Sequence, residues 1–125
     1  MKLENLTMKK VQKLANEAAS TYAEVYSKYI LEDMIRMGVV RKTSISHYEL
    51  SFSVKNVDFN SNKKYERRDG LVAYGAHGTF SLKSVCGAVS FVLLWVEFEN
   101  RFSIARIVFD TNPFAETDKK IILMY

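Results

Sequence analysis

The side chains of this 125-residue chain best suited to chemistry are cations set beside aromatic rings. Lys63, Lys64, Arg67 and Arg68 surround Tyr65. Ammonium and guanidinium groups hold phosphate oxygens, and a tyrosine ring stacks on a base. Tyr65, Arg67 and Arg68 are therefore candidate ligand contacts. Lys63 and Lys64, with the pair Arg41 and Lys42, are candidates for a nucleic-acid surface. A solvated loop explains the same residues. Arg106 is a different case, because strand parity puts it in a row with Phe102, Ile104 and Val108. A guanidinium in an apolar row needs a partner, since an unpaired buried charge is costly. Asp110, Glu97 or Glu99 can supply it internally, and an anionic ligand can supply it from outside. On the second reading, Arg106 and Arg101 line the rim of a binding cavity.

Proton transfer and metal binding have weaker candidates. His47 and Glu49 share one parity, and His77 lies on the polar side of its strand. Two imidazoles and a carboxylate bind a divalent metal or move protons if they converge. Two exposed histidines are the simpler reading, with His77 kept as a ligand contact. Cys86 has only Lys83 near it to lower its pKa and reads as a buried structural cysteine. Glu97 and Glu99 end a strand beside a turn, where exposed acids are ordinary. No P-loop, dinucleotide fingerprint, HExxH, GxSxG or zinc spacing occurs in the sequence. No catalytic residue, metal or cofactor is assigned.

The elements that must position these groups follow from periodicity. Residues 7–37 read as one helix, with Thr7 as N-cap and Gly38 as terminator. Val11, Leu14, Ala15, Ala18, Tyr22, Val25, Tyr26 and Tyr29 share a face. Ile30, Leu31, Met34 and Ile35 leave that face, so either the helix bends near Tyr29 or its end packs on a second chain. Residues 46–54 alternate, with Tyr48, Leu50, Phe52 and Val54 apolar. The apolar set changes parity at Val57, which predicts a bulge near Lys55 and Asn56. Residues 60–70 read as a polar connection. Residues 72–82 alternate again, and Gly75 and Gly78 mark a bulge or a close backbone approach. Residues 85–98 and 102–109 are apolar at both parities, and residues 121–124 add a short edge strand.

One helix followed by strands predicts a single α+β domain over residues 1–125. A long N-terminal helix packs on a five- to six-stranded antiparallel meander. The element order is similar in layout to cystatin-like and NTF2-like folds, and no motif residue carries that similarity. Hydrophobic residues make up 48% and charged residues 26%, which excludes a disordered chain. One cysteine excludes a disulfide scaffold and suits the cytoplasm. No signal peptide or membrane-spanning run is seen, so no membrane partner is expected. The net charge is +4, and residues 39–70 hold seven basic against four acidic groups. One helix covers one sheet face only, so strands apolar on both faces predict a homodimer or higher oligomer.

The expected function is non-enzymatic binding. The protein would sequester a small anionic, nucleotide-like ligand or inhibit a macromolecular partner, as an anti-defence protein of a phage or mobile element does. RNA or DNA binding through the basic region is the alternative. A small NTF2-like enzyme with a histidine or acid site is a third.

Overall fold

The helix is set by its two ends. In the computed structural model, which describes residues 1–38, 40, 46–58, 64–66, 72–82, 85–110 and 120–123, α1 runs Met8–Arg36. Thr7 caps it, its Oγ1 accepting from the Lys10 amide at 3.2 Å. Gly38 ends it at φ +77°, and its amide donates to the Ile35 carbonyl at 3.1 Å. Both ends match the sequence reading.

The buried stripe matches it only at Val11, Ala15 and Tyr22. Val11, Ala15, Ala19, Ala23, Ser27, Ile30, Leu31 and Met34 are buried, while Val25 and Tyr29 are exposed. These buried positions advance mostly in steps of four. Each such step turns about 40° beyond a full rotation, so the stripe winds around the helix. Ile30, Leu31 and Met34 accordingly enter this chain's own core. Neither a bend nor a second chain is required to bury them.

Four full antiparallel strands carry the sheet: β1 (Leu50–Val57), β3 (Val72–Leu82), β4 (Val85–Val96) and β5 (Arg101–Asp110). Two short segments join them, β2 (Lys64–Glu66) on β3 and β6 (Lys120–Leu123) on β5. Part of the expected polar connection is therefore paired backbone. The first strand also starts later than alternation suggests. Residues His47–Glu49 form a 3-10 turn, with the Ser46 hydroxyl accepting from the Tyr48 amide at 3.3 Å. Tyr48 consequently stands 85% exposed instead of facing the core.

Two bulges set which side chains face α1. At Lys55, β1 shifts between Val54, opposite Gly78, and Asn56, opposite His77. This is the expected bulge. A second lies at Ala105, where Ile104 pairs with Leu93 and Arg106 with Val92. It brings Phe102, Ile104, Ile107 and Phe109 together on the helix side, all buried. Arg106 is thereby turned to the opposite face and is exposed, which corrects its placement in the apolar row. That outer face is only partly apolar. Leu94 and Val96 are buried there, but His77, Thr79, Ser81 and Cys86 are exposed. Cys86 lies opposite Ser81, away from α1, and so is not a core cysteine.

Helix and sheet are joined by polar contacts at the first bulge. The Val54 amide donates to Asn16 Oδ1 at 2.7 Å, and Asn16 Nδ2 donates to the Val54 carbonyl at 3.1 Å. Gln12 Nε2 donates to the same carbonyl. Asn16→Ala is expected to destabilise the protein by about 1–3 kcal/mol, because the part-buried Val54 amide loses its acceptor while the carbonyl keeps only Gln12. Urea unfolding checks the loss, and faster hydrogen exchange at the Val54 amide locates it. An unchanged midpoint would refute it.

Candidate ligand groove

A groove of about 410 Å³ opens between α1 and the start of β5. Its origin is the winding stripe. The helix packs chiefly on β1 and more lightly on β5. The predicted core face at Leu14, Ala18 and Val25 is therefore left as the groove wall. Leu14 and Ala18 are half-buried, and Val25 is 61% exposed.

The opposite wall is built from Arg101 to Ile104. The turn before it is fixed by Asn100, which takes the left-handed conformation at φ 53°. Behind Phe102, the Trp95 ring packs edge-on at a centroid distance of 5.1 Å. Trp95 Nε1 donates to the Met1 carbonyl at 3.0 Å, and the Met1 amino group donates to the Glu97 carbonyl at 3.1 Å. The N-terminal segment thus braces β4 and the turn that leads into the wall.

The lining combines apolar and polar groups. Tyr22 and Tyr26 stack at 4.8 Å with their rings tilted by 47°. Burial, with Tyr26 beside it, pushes the Tyr22 phenol above the usual tyrosine range. It stays a neutral hydroxyl at any ordinary pH. Arg101 stands at the rim, its side chain 59% exposed and paired with Glu99. Thr21 adds a hydroxyl and Glu17 a carboxylate. Apolar walls with a few polar groups, in this size range, are the usual make-up of a small-molecule site.

The expected site residues are divided by the sheet. Arg101 lines the groove, whereas Arg106 and His77 lie on the outer face. There, the Ser90 hydroxyl and His77 Nδ1 lie 3.2 Å apart. His77 pairs with Asn56, six residues along β1 from Leu50, which follows the His47 turn. At about 3.3 Å per strand residue the two histidines are far apart and do not converge with Glu49. No group of three His, Cys, Asp or Glu residues able to hold a metal occurs among the described residues. Tyr65 and Lys64 are placed by their backbone only, in β2. Arg41, Lys42, Lys63, Arg67 and Arg68 lie outside the described residues.

Reading by residue type missed Tyr22, Tyr26, Ala18 and Val25 as site residues, because an apolar helical position reads as core. A signal was present. The apolar positions of α1 cover more of its circumference than one sheet contact can bury.

Fold and groove together define an α+β protein with a helix on one sheet face and a ligand-sized opening beside it. No described helix is long and apolar enough to cross a membrane. Comparison with family models, curated proteins and solved structures finds no match to this chain.

Proposed function

We propose that this chain is a binding protein whose α1–β5 groove sequesters a small amphipathic anion of nucleotide-like size. The observation that carries this reading is the groove itself, with aromatic and aliphatic walls and Arg101 at its mouth. An aromatic body packs against Tyr22, Tyr26 and Phe102, and the anionic end competes with Glu99 for the guanidinium. Sequestration of this kind inhibits any enzyme or effector that requires the ligand, which is how the chain would serve as an inhibitor or anti-defence protein.

A second reading rests on the outer face. Arg106, His77, Ser90 and Asn56 lie there on neighbouring strands, with Val92 and Val108 half-buried between them. A broad face of this make-up suits an acidic macromolecule, nucleic acid included. It is also where a second copy of the chain would pack to form the homodimer.

One calorimetric titration separates the two. The full chain is titrated with nucleoside monophosphates, aromatic carboxylates and a single-stranded oligonucleotide at low salt. On the first reading at least one small anion binds. Arg101→Ala then weakens it by about tenfold or more, the usual loss for a hydrogen bond to a charged group. Ala18→Trp, which fills the groove, abolishes it. Binding of the oligonucleotide alone, insensitive to Ala18→Trp and weakened by Arg106→Ser, supports the second reading and removes the first.

A further inference from the structure

A separate cleft of about 250 Å³ lies on the other side of α1, against the turn that precedes β1. Ser20, Glu24 and Ser27 form the helix wall, at the i, i+4, i+7 spacing of one helical face. His47, Tyr48 and Ser51 form the wall opposite. We infer that this cleft is a binding site for a small organic cation of the alkylammonium class.

Three observations support the assignment. The first is Tyr48. Its ring is 85% exposed beside the cleft, although large aromatic rings are ordinarily covered. The 3-10 turn capped by Ser46 holds its backbone there, and its ring stacks on His47 at 4.0 Å and 38°. A cation is attracted to the face of such a ring. The second is charge. The lining carries the Glu24 carboxylate and neither lysine nor arginine, in a chain whose net charge is +4. The third is donor matching. An ammonium group has three protons to give and nothing to accept with. Glu24 and the hydroxyls of Ser20 and Ser27 are the acceptors it needs. An alkyl tail then lies over the Tyr48 ring.

The site is independent of the α1–β5 groove. No residue lines both. It would also select the opposite ligand charge.

The test uses n-butylammonium chloride, with n-butanol and sodium butyrate as controls that share the alkyl body. Amide shifts of the ¹⁵N-labelled full chain are followed at constant ionic strength. Saturating shifts at Glu24, Tyr48 and Ser51 are expected for the ammonium alone, with a Kd of about a millimolar for so few atoms. Glu24→Gln and Tyr48→Ala each weaken binding by about tenfold, and Tyr48→Phe retains it. Glu24 and Tyr48 are both exposed, so the remaining amide spectrum reports an intact fold. Arg101→Ala leaves ammonium binding unchanged even where it weakens anion binding. Equal shifts with butyrate, absence of saturation, or full affinity in Glu24→Gln overturns the proposal.

Discussion

Gly78→Val is expected to cost more than about 3 kcal/mol and to leave little folded protein at room temperature. Gly78 lies in the middle of β3, between Val54 of β1 and Val89 of β4. A Cβ built there runs into the Ser53 carbonyl and comes within 2.9 Å of the Val54 Cα. Both obstacles are backbone, and both belong to the stretch that bends at the Lys55 bulge. Neither can step aside by changing rotamer, so β1 must separate from β3. The Asn16 contacts to Val54 would be lost with it. Gly75, three residues earlier in β3 and on the opposite face, provides the control. A Cβ at Gly75 meets nothing within 4 Å among the described residues. Circular dichroism and urea titration of Gly78→Val and Gly75→Val should therefore give opposite outcomes, the first largely unfolded and the second near wild type. Equal stability of the two variants would show that the close approach is not maintained in solution.

Truncating Phe109 should produce the second large effect. Its side chain is fully buried at the helix-facing side of β5. It packs edge-on against Phe80 at 5.3 Å and tilted against Phe52 at 6.1 Å. Phe52 in turn meets Phe91 edge-on at 5.7 Å. Four strands thus meet through one aromatic cluster. Phe109→Ala is expected to lose about 3–5 kcal/mol, against a total stability of about 5–15 kcal/mol for domains in general. Phe98→Ala removes the same ring from a site 85% exposed and should shift stability by no more than about 0.5 kcal/mol. A lower urea midpoint with unchanged slope for Phe109→Ala, and no shift for Phe98→Ala, is the expected pattern. A loss below about 1 kcal/mol at Phe109 would mean that the cluster repacks.

The contrast between these two phenylalanines shows where sequence reading stops. Both stand in apolar stretches, and residue type alone ranks them equally. The β4–β5 turn exposes one, and strand pairing buries the other. Arg106 and Arg101, both exposed, differ in whether they line the groove. The parity change from Ile104 to Ile107 has the form of the one between Val54 and Val57. It was hidden because Ala105 and Val108 made both parities apolar. Arg106 therefore faces away from the helix, and among the described residues only Arg101 of the expected anion contacts lines the groove.

What the sequence determined by itself is what short-range physics controls. Thr7 and Gly38 bound the helix through hydrogen bonds and dihedral angles available within a few residues. Alternation over residues 72–82 fixed which side chains of β3 share a face. The shift at Val57 placed the Lys55 bulge, and of Gly75 and Gly78, both read as a bulge or a close approach, Gly78 is the one with backbone against it. The tertiary structure alone decided the rest. It selected which stripe of an over-apolar helix is buried, and so left Leu14, Ala18 and Val25 as a groove. It also turned Tyr48 outward beside Glu24. Both choices depend on how a 29-residue helix lies across a sheet with two bulges. That placement is set by packing between residues distant in the chain, and no local pattern encodes it.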